Sequence, residues 1–155
     1  MARHKNGLIV SISVQDGVFY LGRLLNEPIL LVYDYFIDAI EGQLDFYEII
    51  NLKPLFYVSV FRDFTKNDSI SILGMLPVED AEINRAPPLF WQSRGNPNTC
   101  FLVYLDGSEE AAKPEDCIGL ERMAVWEVGS VIQRIVDHRN GSKNKLREKL
   151  KVIIP

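Results

Sequence analysis

The sequence has few of the residues that usually carry chemistry. Its 155 residues include two cysteines and two histidines, namely Cys100, Cys117, His4 and His138. Two cysteines cannot form a disulfide framework, and none of these residues has the short paired spacing that zinc sites require. The acids just before Cys117 would raise its thiol pKa, which disfavours a nucleophile. The glycines form no phosphate-binding or dinucleotide-binding pattern. We therefore expect no metal and no cofactor, and these residues give no catalytic signature.

Long apolar runs are also absent. The longest, residues 29–33 and 101–105, are far shorter than the ~20 residues that cross a bilayer. Ser11 and Ser13 interrupt the first apolar segment, so no secretory leader is expected. Hydrophobic residues make up 47% and charged residues 25%, which is typical of a globular chain. The composition predicts one cytoplasmic domain with no membrane partner.

Strand patterns dominate the first two thirds of the chain. Residues 8–14 alternate between apolar and polar, and Asp16-Gly17 before residues 18–25 predicts a hairpin. Residues 29–37 read as a central strand buried on both faces. Pro114 predicts a helical turn. Further strands are expected over 55–61, 70–76, 89–92 and 100–105, with long loops in the rest of 77–99.

Helical patterns are fewer. An i, i+3, i+4, i+7, i+8 apolar stripe predicts a helix over 128–139, with Ser130 and Gln133 as a capping box and Gly141 as its stop. Asp45 and Glu48 have capping-box spacing for a short helix near 45–51. The predicted fold is α+β: a mainly antiparallel, twisted sheet of about six to eight strands. One principal C-terminal helix packs on it, and the short helix lies near 45–51.

Charge is distributed unevenly. Residues 138–155 hold six basic side chains and one acid, a net charge of +5, which leaves −9 for residues 1–137. We therefore divide the chain into a domain over 1–141 and a basic C-terminal extension over 142–155. An acidic body with a basic tail bears on partners and association rates rather than on fold.

The acidic residues are the candidate binding residues. An acidic surface can dock a basic protein, whereas the plainer interpretation is a solvated surface that favours solubility. The docking interpretation involves two groups of acids: Asp34, Asp38, Glu41, Asp45 and Glu48, and then Glu109, Glu110, Glu115 and Asp116.

Two alternatives remain open. Paired carboxylates such as Asp34 and Glu48 would suit a small β-rich enzyme. The basic tail would suit a nucleic-acid-binding accessory domain, although scattered terminal charges are a weak signal. His138 is expected to interact with the unpaired carbonyls and dipole at the end of its helix rather than to act as a base.

Short motifs follow one another in a particular order over residues 7–141. They are GLIV at 7–10, DGVFYLGRL at 16–24, YD at 33–34, PLF at 54–56, ILG at 72–74, PPLF at 87–90, GLE at 119–121, VW at 125–126 and RIVD at 134–137. The series resembles the immunity protein 26 family of bacterial polymorphic and contact-dependent toxin systems. The sequence departs from that family at Ile70, where a tryptophan is expected.

The resemblance implies a non-enzymatic antidote. Such a protein binds the domain of its cognate toxin, commonly a nuclease, in the cytoplasm of the producing cell. It contacts neither a membrane nor, directly, nucleic acid. Members of the family face different toxins, so contact residues do not transfer by motif, and the acidic groups above are the candidates here.

Overall fold

A computed structural model of the chain describes residues 6–15, 17–26, 28–38 and 45–155. In this part of the chain, nine strands form two sheets, accompanied by four α-helices. The strands are β1 Leu8–Gln15, β2 Val18–Asn26, β3 Ile29–Ile37, β4 Pro54–Val60, β5 Ile70–Met75, β6 Leu89–Gln92, β7 Cys100–Val103, β8 Glu109–Ala112 and β9 Val125–Trp126. The helices are α1 Phe46–Ile49, α2 Asp80–Arg85, α3 Val128–Arg139 and α4 Lys145–Lys149, and 3₁₀ turns cover Phe64–Lys66 and Pro114–Cys117.

The larger sheet confirms the α+β prediction. Its six strands have the order β5-β1-β2-β3-β4-β9 and are antiparallel except for the β4–β9 pair. Gln15 pairs with Val18 across the first turn, where Gly17 has a φ of +72°, so the hairpin is confirmed. Asp16 of that turn lies outside the described residues. The turn at Pro114 is confirmed as a 3₁₀ turn.

One face of this sheet packs against α3. The predicted stripe on α3 supplies Val131 and Ile135, which are buried against Val10 and Ile12 of β1. Trp126 is 1% exposed in the same core. The helix bounds match the prediction because the apolar period of 3.6 extends over the whole segment.

The ends of α3 were predicted only in part. The N-cap is Glu127, so the predicted capping box at Ser130 and Gln133 is wrong: both lie inside the helix, and Gln133 donates to Asp137 at 2.9 Å. The predicted stop is confirmed. Gly141 has a φ of +68°, and its N–H and that of Ser142 close a Schellman motif onto the last carbonyls.

Helices α1 and α2 cover the opposite face of the larger sheet, together with the chain that leads from α2 to the small sheet. The core on this face includes Leu21, Leu31, Ile49 and Leu89. The short helix predicted near 45–51 is confirmed as α1. Its N-cap Asp45 accepts from the Tyr47 amide at 3.0 Å, rather than from Glu48.

Helix α2 was not predicted. Prolines at 77, 87 and 88 made the segment look like loop, and that expectation is wrong over 80–85. A reciprocal cap starts the helix: the Glu79 side chain accepts from the N3 amide, and the Glu82 carboxylate accepts from the Glu79 amide at 2.9 Å. This arrangement satisfies two of the unpaired N–H groups of the first turn.

The small sheet has the order β6-β7-β8 and a core of its own, in which Cys100 and Cys117 are buried. Strand β8 was not predicted, because it is short, exposed and acidic. Burial first, and then the nearby Cys100 thiol, raise the pKa of Cys117 to about 11. Its thiol therefore stays protonated at neutral pH.

Residues 142–155 lie against the body of the protein. Asn144 caps α4 by accepting from the Arg147 amide at 2.9 Å. Gln92 of β6 donates to the Ile153 carbonyl at 2.7 Å and accepts from its amide at 3.0 Å. Arg122 donates to the Leu150 carbonyl at 2.9 Å. The basic segment is thus tied to the small sheet by side-chain-to-backbone hydrogen bonds.

Candidate interaction surface

The first acidic group lies where β3 ends and α1 begins. Asp34 and Asp38 follow the buried half of β3, and Asp45 and Glu48 are exposed at α1. The Asp34 amide donates to the Lys53 carbonyl at 2.8 Å, which holds the connection after α1 beside β3. Four of the five predicted acids, Asp34, Asp38, Asp45 and Glu48, therefore lie at the end of β3 or at the start of α1. The fifth, Glu41, lies outside the described residues.

Large aromatic side chains are exposed among these acids. Tyr35 and Phe36 of β3 are 41% and 46% exposed, and Tyr47 of α1 is 75% exposed. The sequence analysis missed them, because a strand that is buried over its first half predicts burial over its second. Exposed tyrosines within a charged rim are typical of protein–protein interfaces. Successive strand residues point to opposite faces, so Phe36, which contacts Tyr20 and Arg139, lies on the α3 face, and Tyr35 lies on the face of α1. We call the set Tyr35, Asp38, Asp45, Tyr47 and Glu48 the β3–α1 surface.

The end of α3 borders this surface and partly neutralises it. His138 Nε2 lies 3.2 Å from Asp34 Oδ1, with both side chains partly exposed. Arg139 lies over the ring of Phe36, 4.5 Å from its centroid, and donates to the Tyr20 hydroxyl at 3.4 Å. The expectation that His138 interacts with the helix end missed this pair, because the two residues are 104 positions apart. Asp34 is therefore a partnered acid at the border of the surface.

The second acidic group lies on the small sheet. Glu109 and Glu110 lie on the edge strand β8, while Glu115 and Asp116 lie on the 3₁₀ turn that follows. All four are exposed. Tyr104 donates to Glu110 at 3.4 Å, and Trp91 of β6 is 44% exposed on the same small sheet. The structure thus separates the predicted residues into two groups, one at β3 and α1 and one at the small sheet, and aromatic side chains lie near both.

A buried ion pair lies beneath the second face of the larger sheet. Arg23 of β2 is fully buried and pairs with Glu82 of α2, and it also donates to the carbonyls of Leu76 and Pro77 at 2.8 and 2.9 Å. Burial is the main cause that raises the pKa of the neighbouring Tyr33, and the Arg23 guanidinium opposes it. No pattern in the sequence marked Arg23, because a single arginine in a strand is ordinarily a surface residue.

A second buried guanidinium lies under α3. Arg134 pairs with Glu121 and stacks over Phe56, 4.0 Å from the ring centroid, and over Trp126 at 5.2 Å. Burial lowers the pKa of Arg134, and the hydrogen bond to Glu121 opposes that shift. This pair joins α3 to the loop before β9, which is a structural role. Its Nη1 is buried without a hydrogen-bond partner.

The basic segment presents further cations. Lys143, Lys145 and Lys149 are exposed, whereas Lys151 pairs with Glu148 at 2.9 Å and Arg147 lies 3.7 Å from Glu121. These cations are separate from the two acidic groups in sequence and on different elements.

Comparison with known proteins does not assign a family. No family model, curated protein or solved structure matches the chain. In the described part of the chain, no three histidine, cysteine or acidic side chains are placed to hold a metal ion. None of the helices described there has the length and hydropathy needed to span a bilayer.

Proposed function

We propose that this protein is an immunity protein that binds and neutralises a cognate bacterial toxin domain, and that the domain is a nuclease. The order of motifs over residues 7–141, which resembles the immunity protein 26 family, supports the class of protein. The observation that carries the proposal is the β3–α1 surface, where two exposed tyrosines, Tyr35 and Tyr47, lie on the elements that carry exposed acids. Neutralisation takes place in the cytoplasm of the cell that makes both proteins.

Inhibition by this surface needs no chemistry from the inhibitor. A nuclease presents cations where it binds the phosphates of its substrate. Carboxylates such as Asp38 and Glu48 form ion pairs with those cations, while Tyr35 and Tyr47 supply apolar contact area at low entropic cost. The bound protein then covers the active site or the substrate surface. Opposite charge also speeds the encounter.

The primary experiment is growth rescue with co-purification. Cells expressing the C-terminal toxin domain encoded by the adjacent gene are grown with and without this protein, and the complex is then isolated through a tag on the toxin. We expect rescue together with co-purification. Growth arrest despite soluble expression of this protein, or a protein that never binds the toxin domain, would overturn the proposed function.

A matched pair of charge reversals tests the surface itself. In the first variant, Asp38, Asp45 and Glu48 are replaced by lysine. In the control, Glu109, Glu110 and Glu115 are replaced by lysine, which changes the net charge equally. We expect the first variant to lose rescue and the control to keep it. Loss in the control alone would move the interface to the small sheet, and loss in neither would leave both acidic groups as solubilising surface.

The aromatic side chains are tested separately from charge. Tyr35→Ala together with Tyr47→Ala leaves every carboxylate in place and removes two exposed rings, so folding is little affected. We expect the affinity for the toxin domain to fall by roughly a hundredfold, since interface tyrosines contribute about 1–2 kcal/mol or more each. An unchanged affinity in a titration calorimetry experiment would contradict the β3–α1 surface as the interface.

A further inference from the structure

A cavity of about 480 Å³ opens on the second face of the larger sheet, between the connection after α1 and helix α2. The connection after α1 and helix α2 both lie over β3 and β4, and the cavity is the gap between them. Volumes of this size are typical of pockets that hold small molecules. The apolar part of its lining includes Leu25, Leu31, Tyr33, Leu52, Tyr57 and Pro87.

Cations outnumber anions around the cavity. Lys53 and Arg85 line it, and both side chains belong to exposed residues. Among the described residues that line it, the one acid is Glu82, which already accepts from the Arg23 guanidinium and from the Glu79 amide. Among the described residues, no carboxylate lies within salt-bridge distance of Lys53 or Arg85. Two cations at the cavity are thus free to bind an anion.

One of these cations shares the cavity with its apolar floor. Tyr57 and Arg85 both line the cavity, and Tyr57 lies beside Leu31 in the register of β3 and β4. Burial raises the pKa of Tyr57, and the charge of Arg85 opposes that rise. A ligand that rests on Tyr57 therefore occupies the same cavity as Arg85.

We propose that this cavity binds a small aromatic carboxylate, with its ring on the floor formed by Leu31 and Tyr57 and its carboxylate between Lys53 and Arg85. A planar guanidinium matches the two oxygens of a carboxylate, and a tyrosine ring offers a flat partner for an aromatic ligand. The inference does not depend on the proposed function, because the cavity and the β3–α1 surface use different side chains.

The test compares benzoate with benzamide, its neutral counterpart of similar shape, by amide-resolved NMR titration of the full chain. We expect benzoate to cause saturable shifts at the amides of Leu25, Leu31 and Leu52, and to bind roughly tenfold or more tightly than benzamide. Shifts elsewhere only, or none up to about 10 mM, would overturn the proposal. Equal affinity for the two probes would also overturn it.

Two charge-matched variants complete the test. Lys53→Gln with Arg85→Gln removes both cations of the cavity, whereas Arg94→Gln with Lys145→Gln removes two exposed cations elsewhere. We expect the first variant to weaken benzoate binding roughly tenfold or more, to leave benzamide binding unchanged, and to keep a dispersed spectrum. The control variant keeps the affinity of the unmodified chain. Equal losses in the two variants would show a response to net charge alone and would overturn the assigned site.

Discussion

At the scale of single residues, Arg23 has the most costly environment in the described chain. Its guanidinium is fully buried, with one carboxylate and two carbonyls as partners, and its Nε has no hydrogen-bond partner. Removing one member of a buried pair leaves an uncompensated charge, whereas replacing both by apolar groups is often neutral. The pair therefore couples β2 to α2 in a way that is sensitive to single substitutions.

This pair leads to a prediction about stability. We expect Glu82→Gln, which keeps the capping group but removes the charge, to lower the free energy of unfolding by about 3–5 kcal/mol. Arg23→Met combined with Glu82→Leu should recover most of that loss. Urea unfolding followed by circular dichroism measures both. The idea of an uncompensated charge fails if the double variant is no more stable than Glu82→Gln alone.

Two glycines with similar backbone angles allow a second prediction. Gly7 has a φ of +88°, and a Cβ there would lie 2.2 Å from the Leu76 carbonyl oxygen. Gly107 has a φ of +92°, but a Cβ there would meet nothing within 4 Å. We expect Gly107→Ala to lower the free energy of unfolding by about 1–2 kcal/mol, from the positive φ alone. Gly7→Ala should cost clearly more, because the backbone of Leu76 must move.

Thermal unfolding of the two variants in parallel gives the comparison. Equal melting temperatures would mean that the approach of Gly7 to residue 76 relaxes easily, which would contradict the close packing of the chain before β1 against the end of β5.

Among the elements, the basic C-terminal segment differs from its prediction in one respect: it packs on the rest of the chain instead of extending from it. The sequence analysis placed residues 142–155 outside the domain over 1–141, from the end of the motif series near residue 141 and from the charge of the tail. In the structure, Leu146 and Leu150 pack against the core under α3, and Val152 packs against the core of the small sheet. A segment with partly buried leucines and a capped helix contributes to stability as well as to charge.

Deletion of residues 142–155 tests that contribution. We expect the free energy of unfolding to fall by about 2–4 kcal/mol, because Leu146 and Leu150 lose their packing and Gln92 and Arg122 lose hydrogen-bond partners. Chemical denaturation of the full and shortened chains measures the difference. A matched control replaces Lys143, Lys145 and Lys149 by glutamine in the full chain and should leave stability within about 0.5 kcal/mol. A shortened chain as stable as the full one would show that the segment is peripheral.

The same two variants bear on the nucleic-acid alternative. If the tail bound single-stranded RNA or DNA, the glutamine variant would lose that binding while the fold stayed intact. Retention of binding after these substitutions would count against the tail as the binding element.

At the scale of the whole molecule, the separation of charge predicts how association responds to salt. Under the proposed function, the acidic body meets a cationic toxin domain, and such encounters are steered by long-range fields. We expect the association rate constant to fall roughly tenfold or more between about 0.05 M and about 0.5 M salt, since the Debye length falls from about 14 Å to about 4 Å. The dissociation rate should change little.

Surface plasmon resonance or stopped-flow mixing separates the two rate constants. The charge-reversed β3–α1 variant should show a much weaker salt response than the unmodified protein. An association rate that is insensitive to salt would argue for an interface dominated by apolar contacts, without electrostatic steering.

Strand and helix identities follow from local patterns in this chain. The bounds of α3 and β6 match their predictions, and β1, β2 and β4 match within a residue or two, because each has a clear apolar period or clear turn residues at its ends. Helix α2 and strand β8 were missed, since prolines dominate the pattern around the first and exposed acids make up half of the second. In both cases the deciding contacts are local: the Glu79–Glu82 cap begins α2, and β8 pairs with β7 across the turn at Gly107.

The sequence predicted the acidic residues of the candidate surface but not its exposed aromatic side chains. Charge, turn chemistry and apolar period are properties of neighbouring residues. They were enough to predict the acidic body, the basic tail, the hairpin at Gly17 and the helix at 128–139. Four features became visible only in the folded chain: the exposed aromatics on the elements that carry the first acidic group, the contact of His138 with Asp34, the burial of Arg23 against Glu82, and the cavity between α1 and α2. Those features depend on contacts between residues distant along the chain, and local sequence patterns do not specify such contacts.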